Sequence, residues 1–216
     1  MKNMNKPHNL YIHIPFCASK CNYCAFYSAA CATPDWDGFC DGILTEIDHW
    51  YDILGKITVP TIFFGGGTPS LMPPHIFAKI MWYIKNRFLV PDDAEVSVES
   101  NPGTIDKDKL KEFQSNGMNR LSIGIQSLNN QELKFLGRRH DAATATKLIK
   151  SAKDLGLHVS GDFMYGLPGQ TVEDVRTLCQ SINELDMEHC SMYELSLEPG
   201  TPFSKMNLKM PDNETM

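Results

Sequence analysis

The chain has 216 residues, 42% of them hydrophobic, so a chain of this length can bury about 70% of its unfolded surface and form one well-cored domain without disulfides. Its 20 Lys and Arg stand against 26 Asp and Glu for a net charge of −6, and no basic block runs along it, which excludes a phosphate-tracking nucleic-acid binder. No apolar run approaches the ~18 residues of a membrane helix, and Lys2 and Lys6 lead into a short strand rather than a signal-peptide core.

Read in chain order, short β-rich apolar runs alternate with longer helical patterns. After a tail at 1–9, a strand over 10–14 leads into a cysteine loop and a helix over 36–54 closed by Gly55. A strand over 61–64 ends in GGGTPS and precedes a helix over 74–88. A strand over 95–99 ends in ESNPGT before a helix over 107–116, stopped by Gly117. The fourth strand, 120–126, is followed by helical stretches at 131–136 and 142–155, stopped by Gly156. The fifth, 158–164, leads into YGLPGQT, and Thr171 opens a helix over 172–185. The sixth strand, 190–196, ends near Glu198, Pro199 and Gly200.

Spacings near ~30 residues predict βαβ units, which force parallel strands. The expected fold is therefore α/β, a partial (β/α)6 TIM-like barrel over 10–200. Residues 201–216 read as the start of a further region, truncated before a closing helix covers the sixth strand. The polar and glycine-rich motifs all follow strands, where the loops of such a barrel converge on a site.

FCASKCNYC places Cys17, Cys21 and Cys24 on one loop leaving the first strand. Seven cysteines are an odd number, and this crowding suits a reduced, cytoplasmic compartment and a metal site better than a disulfide framework. A [4Fe-4S] cluster ordinarily takes four thiolates, so three leave one iron open to a small chelating ligand. The alternative is a zinc-stabilised, non-catalytic domain with His13 as fourth ligand, although zinc sites usually pair two separated knuckles and only one is present. Cys31, Cys40, Cys179 and Cys190 read as small core residues.

LYIHIPFCASKCNYC resembles the radical S-adenosylmethionine (SAM) superfamily. GGGTPSL, ESNPGT, NRLSIGIQSLN, LGRRH and YGLPGQT, in that order over about 10–211, resemble its branch of oxygen-independent coproporphyrinogen III oxidases and HemW-type heme chaperones. The resemblance implies a [4Fe-4S] cluster on Cys17, Cys21 and Cys24, with SAM chelated to the open iron and cleaved reductively to a 5′-deoxyadenosyl radical. It further implies SAM contacts from Gly66, Gly67, Thr68, Glu99, Gln126, Arg138 and Asp162, with Tyr11 near the cluster and Tyr23 at the adenine. No residue is assigned as catalytic.

The oxidase branch carries a further cysteine two residues after the third ligand, where this chain has Phe26. That difference favours the chaperone branch, whose implied partners are heme or a porphyrinogen and a protein that receives heme. The branch's heme-associated His-Asn and Tyr-Trp motif falls in a C-terminal region beyond this match, so heme is expected to need that region.

Overall fold

Parallel pairing of six apolar strands sets the frame of the computed structural model, which describes residues 7–211. Parts of the expected segments 1–9 and 201–216 lie outside the described residues, namely 1–6 and 212–216. The strands are β1 (Leu10–Ile14), β4 (Thr61–Gly66), β5 (Glu95–Ser100), β6 (Arg120–Gln126), β7 (His158–Tyr165) and β8 (His189–Glu194). Two further strands, β2 (Phe16–Cys17) and β3 (Ala29–Ala30), form a separate two-residue pair inside the cysteine loop. In the main sheet the order is β1-β4-β5-β6-β7-β8, so neighbours in space follow neighbours in sequence, giving the open arc of a partial barrel.

The strand starts and ends follow the sequence with small extensions. β4 continues through Gly66 because Gly66 still pairs with Ile14 on β1. β8 is displaced toward the chain start and begins at His189, which pairs with Ser160. Helices α1 (Trp36–Leu54), α2 (Pro74–Arg87), α3 (Lys107–Ser115), α4 (Asn130–Phe135), α5 (Ala142–Asp154) and α6 (Val172–Glu184) occupy the expected intervals. Most are started by a side chain that accepts a free backbone N–H of the first turn: Asp35, Asp106, Asn129, Asp141 and Thr171 do this for α1 and α3 to α6. Thr171 and Asp174 satisfy each other's backbone in a full capping box.

The main core lies between the sheet and the helices on its outer side. Phe64 of β4 packs against Phe77 of α2 with ring centroids 5.0 Å apart, and Phe77 stacks on Phe113 of α3 at 4.4 Å. All three are fully buried, and each contributes ~3–5 kcal/mol by the cost of truncation to alanine. A smaller cluster of Leu136, Met164, Leu167, Leu195 and Phe203 anchors the segment after β8. There Phe203 stacks on Phe135 at 4.6 Å, and its amide donates to Asn22 O at 3.0 Å. The segment after the last strand is thereby tied to the cysteine loop.

One expectation is corrected. Of the four cysteines read as core residues, only Cys40 is buried; Cys31 is half-buried, and Cys179 and Cys190 are exposed. Cys190 lies on β8, which has a single strand neighbour, so apolar patterning there does not translate into burial. Among the described residues, no helix is long and apolar enough to cross a membrane.

Candidate cofactor site

The cysteine loop is braced at both ends. The amides of Ala29 and Cys31 donate to Pro15 O and Cys17 O at 2.8 and 2.9 Å, closing its base. Asn22 reaches across to the end of α4: its amide donates to Leu136 O at 3.1 Å and its Nδ2 to Phe135 O at 2.9 Å. Lys20 Nζ holds the returning limb through Phe26 O and Ser28 O, each at 3.1 Å. A loop held at so many points presents its side chains in one arrangement.

Cys17, Cys21 and Cys24 all line one cavity of about 520 Å3 at the carboxyl ends of the strands. Burial pushes the Cys24 thiol above its ordinary range. The same cavity is lined by Tyr23, Gly66, Gly67, Glu99, Gln126, Arg138 and Asp162, so ten of the twelve residues expected at the site meet there. Tyr11 and Thr68 lie outside the lining. The Tyr11 side chain is 59% exposed and its hydroxyl meets His13 Nδ1 at 3.0 Å. Thr68 is buried behind the wall, with its hydroxyl 3.5 Å from Cys17 Sγ.

The glycine run lets β4 approach the cysteine loop. Gly67 N donates to Ile14 O at 2.7 Å and Thr68 N to Phe16 O at 2.8 Å, while a Cβ on Gly67 would stand 2.7 Å from Phe16 O and 3.0 Å from Cys17 Sγ. Gly66 adopts φ 112°, a region that favours glycine, and its amide donates to Glu99 Oε2 at 2.9 Å. The amides of this turn are therefore spent within the protein.

Two carboxyls face the cavity. Burial raises the pKa of Glu99, partly offset by the bond from Gly66 and reinforced by Asp162. Asp162 is likewise raised by burial, against hydrogen bonds from Ser191 and Ser122. Opposite them Arg138 donates from Nη2 to Gly124 O at 2.5 Å and from Nη1 toward Cys21 Sγ and the Tyr23 hydroxyl, each at 3.5 Å. Gln126 sits at a break in the β6–β7 register with φ 70°, an uncommon backbone for a residue with a side chain. Such strain at a site is held by its surroundings. Just behind, His140 Nε2 bonds Ile125 O at 3.2 Å; burial and the Arg138 charge lower its pKa to about 4.

Asn101 and Ser122 also line the cavity, and the sequence does not mark either as a site residue. Asn101 stands in ESNPGT, where Asn before Pro-Gly reads as a turn residue. Only its position directly after a strand pointed toward the site.

The donor set suits a cluster better than a single ion. Among the described residues, no three His, Cys, Asp or Glu side chains converge on one metal-ion position. Three thiols around a cubane bind different irons and need not converge. His13, the fourth ligand of the zinc alternative, has Nε2 engaged with Tyr27 O at 2.8 Å and Nδ1 with the Tyr11 hydroxyl.

Comparison with known proteins agrees. The Radical SAM superfamily matches residues 11–182. The chain is 37% identical over 212 residues to "Heme chaperone HemW" of Escherichia coli (strain K12), covering 97% of this chain and 56% of that protein. It is 38% identical over 193 residues to "Radical S-adenosyl methionine domain-containing protein 1, mitochondrial" of Mus musculus, covering 89% and 44%. The solved structure of coproporphyrinogen III oxidase (HemN) from Escherichia coli, described as a radical SAM enzyme, aligns with a TM-score of 0.89 at 27% identity, over 99% of this chain and 50% of that one. The chain thus spans about half the length of these relatives. Taken with three thiols on one braced loop at the mouth of a parallel arc, these matches establish that the chain belongs to the radical SAM superfamily, in its HemN- and HemW-like branch.

Proposed function

We propose that this chain is the cofactor-binding part of a cytoplasmic heme chaperone of the HemW type, holding a [4Fe-4S] cluster on Cys17, Cys21 and Cys24 and SAM beside it. The observation that carries the reading is the meeting of those three thiols with Glu99, Gln126, Arg138 and Asp162 around one cavity. When bound, the cluster and SAM supply radical chemistry through reductive cleavage of the sulfonium.

The protein's own residues bind and orient. Glu99 commits Oε2 to Gly66 and keeps Oε1 for the cofactor's amine. Arg138 offers positive charge for its carboxylate. Gln126 and Asp162 serve the ribose hydroxyls, Tyr23 the adenine, and Gly66 and Gly67 permit close approach of the methionine part. Thr68 acts on the same turn from behind the wall, and Tyr11 orders its base through His13. Heme and a heme-receiving protein are the partners this reading assigns to the whole protein, with the heme site drawing on residues outside this chain.

A second reading, coproporphyrinogen oxidase, is favoured by the TM-score of 0.89 to HemN. Phe26, 67% exposed where the oxidase branch carries a cysteine, weighs against it. Metal analysis after anaerobic reconstitution tests the cofactor assignment: four irons with acid-labile sulfide are expected, and one zinc would refute it. Incubating the reconstituted protein with coproporphyrinogen, SAM and a low-potential reductant tests the assignment within the branch, with no vinyl product expected; product would transfer it to the oxidases.

A further inference from the structure

Asn101 has no task among the proposed cofactor contacts, yet its side chain lies between two residues that each reach a cysteine sulfur. Arg138 Nη2 donates to Asn101 Oδ1 at 2.5 Å, while Nη1 of the same guanidinium points at Cys21 Sγ from 3.5 Å. On its other side Asn101 Nδ2 donates to Thr68 Oγ1 at 3.0 Å, and Thr68 Oγ1 stands 3.5 Å from Cys17 Sγ.

The direction of this chain follows from donor chemistry. A guanidinium has donors and no acceptor, so the oxygen of the Asn101 amide must face Arg138 and its NH2 must face Thr68. The Thr68 oxygen then receives a hydrogen bond, and its single proton is left for the Cys17 sulfur. Thr68 is 2% exposed, so solvent offers that proton no alternative partner.

We propose that Asn101 is a positioning residue that aims the Thr68 hydroxyl at Cys17 and the Arg138 guanidinium at Cys21, and thereby raises the reduction potential of the cluster those cysteines hold. The inference rests on the reading of the three cysteines as cluster ligands. Reduction adds one negative charge to the cluster, and donors aimed at its sulfur ligands stabilise that charge more in the reduced state. Removing them lowers the potential.

The test is a potentiometric titration of the reconstituted protein followed by EPR, without SAM, comparing wild type with Asn101→Leu, Thr68→Val and the double variant. At equal iron content, Asn101→Leu is expected to lower the reduced-to-oxidised ratio at a fixed poise about tenfold, ~59 mV for a one-electron couple. Its effect should shrink in the Thr68→Val background, because part of it passes through that hydroxyl. An unchanged midpoint in Asn101→Leu, or a shift of the same size in both backgrounds, overturns the proposal. Should Asn101→Leu fail to hold iron, Thr68→Ser against Thr68→Val decides it: Thr68→Val should lower the midpoint while Thr68→Ser keeps it, and equal midpoints refute the role. A wild-type protein without any cluster would instead remove the cofactor reading itself.

Discussion

The amide of Gly66 donates to Oε2 of Glu99 at 2.9 Å, joining the glycine end of β4 to the end of β5. This bond engages one carboxylate oxygen of a residue that lines the cavity. Glu99→Gln can still accept from Gly66 but loses the charge, and a charge-assisted bond to the SAM amine is worth about 10- to 100-fold in affinity. Equilibrium binding of SAM to the reconstituted variant should weaken by that factor with iron content unchanged. Because burial raises the Glu99 pKa, wild-type affinity should fall as pH drops through that raised value, and the variant should show less of this decline.

Each of Cys17→Ala, Cys21→Ala and Cys24→Ala should abolish stable cluster assembly, since two thiolates leave two irons without protein ligands. Cys31→Ala should retain it, although Cys31 stands beside the loop base and donates its amide to Cys17 O. Iron and sulfide per chain, with the visible absorption of the reconstituted protein, check this series.

Gly67→Ala should be costly for a different reason. Its Cβ would meet backbone oxygen at 2.7 Å and the Cys17 sulfur at 3.0 Å, and neither can yield without moving β1 or the loop. A loss of about 1–3 kcal/mol is expected from such overpacking, with reduced cluster yield. Gly42→Ala, where an added Cβ meets nothing within 4 Å, serves as control and should leave both measurements at wild type or slightly better. Chemical denaturation and iron content read both.

His140 gives the fold a pH signature. Its pKa falls from 6.5 to about 4 on folding, so the folded state holds it neutral where the unfolded chain would protonate it. Above 6.5 both states are neutral and nothing is lost; as pH falls from 6.5 toward 4 the unfolded state binds the extra proton and stability declines. His140→Gln can keep a donor to Ile125 O without the titration. Thermal melts across that range should show a shallower loss in the variant.

Much of this arrangement was legible because each strand, helix and strand-end motif repeats one physical pattern. All six strands of the sheet are readable from apolar runs bounded by turn residues, and β1, α1 and β6 match residue for residue. The features that the sequence does not mark have weak local signals. The β2–β3 pair is two residues long and its partners are 13 residues apart, Phe16 with Ala29, so no periodicity marks it. The role of Thr68 behind the wall depends on where β4 ends relative to the cysteine loop, which only register reveals. The exposure of Cys190 likewise depends on β8 having one neighbour, a property of the sheet rather than of the segment.

EPR of the reduced, reconstituted protein with and without SAM tests the account most directly. A SAM-dependent change in the reduced-cluster signal is predicted, because one iron is left for the cofactor to chelate. A signal that does not respond to SAM, with all irons already ligated by protein, would contradict it.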